Sequence, residues 1–471
     1  MLKRPSQLAK LLVNQSTAEL VKPKIAPPAT QPIIQPTRAA ATKPSIQRRH
    51  LLQGILAGAA SVGMVASAEA QTKPVRAVAE VSIDSAKWSP RNRELIEALI
   101  AKHGNTSKKY SAKRRPYAVF DWDNTSIMND CEEALLMYQI NTLSFKLTPT
   151  EFSAIIRQNV PVGKFMPDYK NAAGDVVDLE SICSDLDADY AFLNANFKLM
   201  NGNKSLEEIT QTEQFQDFRA KLYFLYEAIN DTHGVAVGYP WIIYFFTNMS
   251  IADLSKLAEA SNDANLGMSL TKTKYTSPLA LSGKAGVIMT SHFHGIRLAT
   301  EIASLMSAFR THGIDVYVST ASLEDVVAVF ATQPKYGFHV ERQNVLGLRL
   351  EKDGEIFKNV YRKNWPINWG PGKSEVIKRE LVAKKGYGPI FVAGDSDGDY
   401  DMLRDFSDTE LSLVVNRLKK GKIGELSKQA ADNLAQAHPR FVLQGRQEST
   451  GNWLPAETTI KYGKAVAALL A

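Results

Sequence analysis

Cysteine is nearly absent: Cys131 and Cys183 are the only two in 471 residues. No Cys-x-x-Cys pair and no Cys/His spacing of a zinc site occurs. Two thiols close one disulfide at most, and a disulfide or two buried free thiols fit the sequence equally. An excess of one charge is also missing from most of the chain. Nine of the 56 Lys/Arg and two of the 49 Asp/Glu fall in residues 1–70, so the remainder carries 47 of each and none of the formal +7. No basic stripe interleaved with aromatics is present, which argues against nucleic acid as a partner. A long apolar run is lacking as well. The strongest, up to Ala66, is glycine-rich and marginal in length for a span, so no stable membrane anchor is expected. Internal repeats are absent. What remains, 44% hydrophobic and 22% charged, is ordinarily globular, with room for two or three domains.

The basic excess belongs to a leader. Residues 20–46 are rich in Pro, Ala, Thr and Gln without hydrophobic periodicity, a composition expected to be disordered. Arg48-Arg49-His50-Leu51-Leu52 then precedes the weak apolar run, which ends in Ala68-Glu-Ala70 before Gln71. A basic start, an apolar middle and a small-x-small site make an export signal, and the paired arginines resemble the twin-arginine type. The expectation is a periplasmic or secreted protein cleaved near Ala70, with the twin-arginine export machinery as partner of the precursor. A retained anchor is the alternative, and the long stretch before the arginines leaves open a start further downstream.

The densest chemistry lies in Tyr117-Ala-Val-Phe-Asp121-Trp-Asp123-Asn-Thr125. An apolar strand runs into two aspartates at i and i+2, where the curling chain lets both carboxylates face one pocket. Close carboxylates repel unless a cation neutralises them or one holds a proton. A strand ending in a solvated Asp-Asn turn is the plain alternative. Three further segments weigh against it. Thr311-His-Gly-Ile-Asp-Val-Tyr-Val-Ser319-Thr320 reads as a helix end, a glycine stop and a strand tipped with hydroxyls; Gly372-Lys373-Ser374 opens a helix; Pro389-Ile-Phe-Val-Ala-Gly394-Asp395-Ser-Asp397-Gly-Asp399 is another buried strand entering an acidic loop.

In this order the four segments resemble the signature motifs of the haloacid dehalogenase-like (HAD) phosphohydrolase superfamily. The text around them resembles its phosphoserine phosphatase-like and phosphorylcholine phosphatase-like branch: Gly238-Tyr-Pro-Trp241, Val345-Leu-Gly-Leu-Arg349, Trp365-Pro366 and Gln444-Gly-Arg-Gln-Glu-Ser-Thr450, over roughly residues 110–460. The resemblance implies an α/β fold with a doubly wound, Rossmann-type parallel sheet and a large, mainly helical cap inserted after the first motif. The expected organisation is a leader at 1–70, a lead-in helix within 71–115, a core at 116–130 and 298–471, and a cap at 131–297.

By the resemblance, Asp121 attacks phosphorus and Asp123 is the acid and base. Ser319, with Thr320 as the competing choice, hydrogen-bonds a phosphoryl oxygen, and Lys373 offsets negative charge. Mg²⁺ is held by Asp121, the Asp123 carbonyl, Asp395 and, directly or through water, Asp399. Asp397 and Asp401 are expected to be solvated. The implied activity is Mg²⁺-dependent hydrolysis of a small phosphomonoester, with phosphotransfer or non-catalytic phosphate binding as alternatives. Asp130, followed by Glu132 and Glu133, matches an acidic substrate contact or is simply a helix-start acid. Trp122, Tyr239 and Trp241 form part of an aromatic box or pack in the core. His292 and His294 are read as not metal-binding, and Arg297 as a surface residue rather than a carboxylate contact.

Overall fold

The computed structural model describes residues 82–83 and 87–471, so the export segment expected at 1–70 lies outside the described residues. Six strands form the central sheet: β1 Tyr117–Phe120, β2 Asp315–Leu323, β3 Val345–Leu348, β4 Phe391–Gly394, β5 Leu411–Val415 and β6 Phe441–Gln444. Their order is β6-β5-β4-β1-β2-β3 and every neighbouring pair is parallel. All residues of β1, β3, β4, β5 and β6 are buried, as a sheet covered on both faces requires. This is the expected doubly wound α/β architecture. The order reverses between β1 and β4, where Phe120 pairs with Ala393, so Asp121 and Asp395 emerge at the crevice of such sheets.

The lead-in helix expected within 71–115 spans Pro90–His103. The Ser89 side chain caps it, Pro90 opens it and Gly104 closes it. Asn92 donates to Leu443 O at 2.5 Å, which joins the helix to the end of β6. The helix Thr300–Thr311 buries Ile302, Leu305, Met306 and Phe309; Leu298 before it pairs with Ile127 in a two-stranded ribbon.

Residues 131–297 carry helices Cys131–Thr142, Pro149–Arg157, Leu179–Asn196, Glu213–His233, Val235–Ile243 and Ile251–Gly267. A short helix Leu206–Thr210 precedes Glu213–His233, because Thr212 caps a fresh start. An antiparallel hairpin, Thr271–Thr276 with Met289–His294, interrupts the helical pattern. Aromatics fill this layer: Phe152 stacks on Tyr190 at 4.0 Å and both meet Phe218. Such pairs add about 0.5–1.5 kcal/mol each beyond the area they bury. A second hairpin, Leu350–Asp353 with Ile356–Tyr361, leaves the core after β3 and bonds to this helical layer. Asn248 N donates to Phe357 O at 3.0 Å, Phe357 N to Met249 O at 2.9 Å and Ile251 N to Glu355 O at 3.0 Å.

Cys131 and Cys183 are buried free thiols, which selects that alternative over a disulfide. Among the described residues no helix is long and apolar enough to cross a membrane.

Candidate active site

Asp121 follows the last residue of β1, and its backbone N–H still donates to Ala393 O at 2.9 Å. The strand ladder therefore fixes its direction. Its Oδ1 accepts Lys373 Nζ at 2.5 Å and its Oδ2 accepts Thr125 Oγ1 at 2.9 Å. Lys373 stands in the first turn of helix Pro371–Ile377, against the helix dipole, and two carboxylates compensate: Asp121 and, at 2.6 Å, Asp399 Oδ1. Burial works to lower the Lys373 ammonium, but those two carboxylates hold it above lysine's ordinary range. Burial and then Asp399 push the Asp121 carboxyl up, while Lys373 opposes them.

Asp395 follows β4. Its Oδ1 accepts Thr125 Oγ1 at 3.1 Å and its Oδ2 the Arg417 guanidinium at 2.6 Å. Asp399 Oδ2 is committed to the loop itself, accepting Asp395 N, Ser396 N and Ser396 Oγ at 2.9–3.1 Å. Gly394 permits this approach, since a Cβ there would lie 2.5 Å from that of Asp399. Carboxylate oxygens of Asp121, Asp395 and Asp399 lie within 4.8 Å of one another, an all-oxygen donor set that fits a hard divalent cation.

Asp123 is separate from this cluster. Its Oδ1 accepts Cys131 N at 2.8 Å and its Oδ2 accepts Ser322 Oγ at 2.8 Å and Thr320 Oγ1 at 3.4 Å. Burial raises its carboxyl above the ordinary range, against the pull of the Cys131 and Ser322 donors. One expectation is corrected at this point. Ser319 does not line the cavity: it is fully buried and its hydroxyl meets Asn368 Oδ1 at 3.3 Å. The reason is that β2 runs on to Leu323, with an irregular register after Ser319 that turns the later side chains. Ala321 and Ser322 line the cavity there, and the hydroxyls of Ser322 and Thr320 both reach Asp123.

The cavity has a volume of about 270 Å³. Asp130 lines it and also caps helix Cys131–Thr142, with Oδ1 accepting Glu132 N and Glu133 N at 2.8 and 2.9 Å. Glu132 Oε1 accepts Leu323 N and Glu133 Oε1 accepts Tyr226 Oη. Burial pushes all three carboxyls up, Glu132 to about 8. Of the three aromatics singled out, only Tyr239 lines the cavity; Trp122 and Trp241 are buried core residues, and Tyr226 and Trp369 take their places. Arg417 and Lys419 complete the wall, and sequence reading missed both.

Other residues lie elsewhere. His292 meets Tyr223 Oη at 2.9 Å and His294 meets Tyr275 Oη at 2.8 Å, inside the hairpin of the helical layer. Arg297 donates to Ile296 O. Asp397 is not simply solvated, because it accepts Ile423 N at 2.8 Å and ties down the next helix; Asp401 is half-buried with Oδ2 unpartnered.

No family model matches the chain. A phosphorylcholine phosphatase of Pseudomonas aeruginosa is 26% identical over 410 residues, 78% of this chain and 88% of that one. A protein of unknown function from Anaerococcus prevotii has a crystal structure that superposes with a TM-score of 0.76 at 32% identity, over 81% of this chain and 99% of that one. A parallel sheet that delivers two aspartates, a lysine and an acidic loop to one edge, in a chain so related to a phosphatase, leads to one assignment. The chain belongs to the haloacid dehalogenase-like phosphohydrolases and is a hydrolase of phosphoric monoesters.

Proposed function

We propose that the enzyme hydrolyses small phosphomonoesters whose leaving group carries an ammonium, through an aspartyl-phosphate on Asp121. The observation that carries this reading is the cavity wall: buried Glu132 and half-buried Asp130 and Glu133 stand together beside Tyr226, Tyr239 and Trp369. Three crowded acids resist ionisation until a positive charge joins them, and aromatic faces favour an organic cation. The name of the Pseudomonas relative points to the same class.

In this mechanism an Asp121 oxygen attacks phosphorus and the bond to the leaving oxygen breaks. Asp123, whose raised carboxyl suits a proton donor, gives its proton to that oxygen. It then takes a proton from the water that attacks the aspartyl-phosphate, which frees inorganic phosphate and restores Asp121. Lys373 remains charged throughout beside the nucleophile. Thr320 and Ser322 hold Asp123 toward the reacting centre. Asp121, Asp395 and the Asp123 carbonyl would hold Mg²⁺, with Asp399 steering Lys373 and the Asp395 loop. When bound, the ion supplies charge neutralisation of the phosphoryl oxygens. Loss of turnover in a chelator, restored by Mg²⁺, checks that assignment.

Replacing Asp130 with Asn tests the substrate class, and Asn is an equally good helix cap, so the fold is kept. KM for phosphorylcholine and phosphoserine should rise about tenfold or more, the loss of one charged contact. KM for p-nitrophenyl phosphate, which has no cation, should stay constant. Equal effects on both would remove the amine and leave the phosphatase.

A further inference from the structure

The segment Gln444-Gly-Arg-Gln-Glu lies outside the four motifs, yet it joins three distant parts of the chain. Gln444 Oε1 accepts Ser89 N at 3.0 Å, from the start of the lead-in helix. Gly445 passes so close to Thr458 O that a Cβ would sit 1.8 Å from it. Arg446 then turns toward the loop that follows Asp123. Its Nη1 donates to Asn124 O at 3.1 Å and its Nη2 to Asn124 Oδ1 at 3.2 Å, while Glu448 lies 3.4 Å from Nη2. The guanidinium is 3% exposed, and its own backbone N–H is held by Thr459 Oγ1 at 3.0 Å.

Asn124 is the hinge of that loop. Its φ is 63°, in the left-handed region that Asn enters more readily than other non-glycine residues. Asn129 supplies part of the restraint: Asn124 N donates to Asn129 O and Asn129 N to Asn124 Oδ1, both at 3.2 Å. Arg446 supplies the rest, gripping the backbone and side-chain oxygens of the same residue in a forked geometry that lysine lacks. The peptide plane before Asn124 contains the Asp123 carbonyl, and the peptide unit is rigid. Whatever fixes Asn124 therefore fixes the Asp123 carbonyl and restrains the backbone from which the carboxyl departs, the carboxyl itself being held by Cys131 N and Ser322 Oγ.

We propose that Arg446 is a positioning residue for Asp123, holding the Asn124 turn so that the acid/base carboxyl meets the leaving oxygen. The proposal rests on Asp123 being the acid. The adjoining chamber is lined by Arg446, Arg417, His292 and Tyr462, which gives a small cation a place beside the truncated side chain.

The test compares Arg446→Ala, Arg446→Lys and Asp123→Asn on an alkyl phosphate, which needs its leaving group protonated, and on p-nitrophenyl phosphate, which does not. Arg446→Ala is expected to lower kcat/KM for the alkyl ester, which reports the step that expels the leaving group, about 10- to 100-fold, the usual effect of removing a supporting group, with kcat/KM for the aryl ester changed far less. Millimolar guanidinium should restore part of the alkyl activity, and Arg446→Lys should fall between the two. A merely structural role would lower both substrates together, follow the fraction unfolded in a thermal melt and show no rescue; that result overturns the proposal. If Asp123→Asn itself shows no leaving-group dependence, the acid assignment fails. If Asp123→Asn shows it and Arg446→Ala does not, the positioning role alone fails.

Discussion

At the nucleophile, one ammonium serves two carboxylates, so Asp121 sits in a site of net negative charge. Asp121→Asn keeps the shape and one acceptor oxygen and removes both the nucleophilic carboxylate and one charge. It should abolish release of phosphate from p-nitrophenyl phosphate while the circular dichroism and melting temperature stay close to wild type; substantial remaining turnover would exclude the aspartyl-phosphate. Asp121, Asp123, Lys373 and Asp395 were legible because each follows a buried strand or opens a helix within a few residues of text. Ser319 was misplaced because the irregularity in β2 is set by its pairing with β3, which local alternation does not encode. Tyr226 and Trp369 become cavity walls only through packing with partners far along the chain. Arg417 had a local signal: it stands two residues beyond β5, at the same strand edge that pointed to Asp121.

Among the helices of the insertion, the one most hidden from sequence was Leu179–Asn196. Its Asp, Asn and Ser residues mask a regular apolar stripe of Leu179, Ile182, Cys183, Leu186, Tyr190 and Leu193, all buried. It packs on Glu213–His233 around a buried charge. Lys221, with no exposure, donates to Asp217 at 2.7 Å and Asp185 at 2.9 Å, and to the carbonyls of Leu281 and Ser282. Beside it, burial and then Asp217 push the Asp189 carboxyl up to about 9. A folded value above the ordinary 3.8 makes this contribution complete below about pH 4 and lost as pH rises toward 9. Asp189→Asn, whose amide donates without titrating, should flatten that loss. Melting temperatures near about pH 5 and about pH 8 check it: wild type should fall more than the variant between them, and equal falls would show that Asp189 carries no proton.

For the molecule as a whole, the parallel sheet and a large insertion were readable from alternating strand and helix text, whereas β5 and β6 had no motif to mark them. The leader is a separate matter. We propose that Arg48 and Arg49 direct export, so replacing both with Lys should leave uncleaved precursor in the cytoplasmic fraction on immunoblots; unchanged export would exclude the twin-arginine route. Position in the chain also decides when the enzyme can exist. The central strand β1 pairs with β4 across roughly 270 residues, Thr125 meets Asp395 across 270 and Arg446 reaches Asn124 across 322. Contacts of such long range close slowly, because the loop entropy is lost before the contacts form. During synthesis the nucleophile emerges 252 residues ahead of its lysine, and further still ahead of its acidic loop and of Arg446. A nascent chain that has not yet reached Lys373 and Asp395 is thus a phosphatase sequence that cannot yet act on phosphate, and synthesis of those later residues is itself the step that switches the chemistry on.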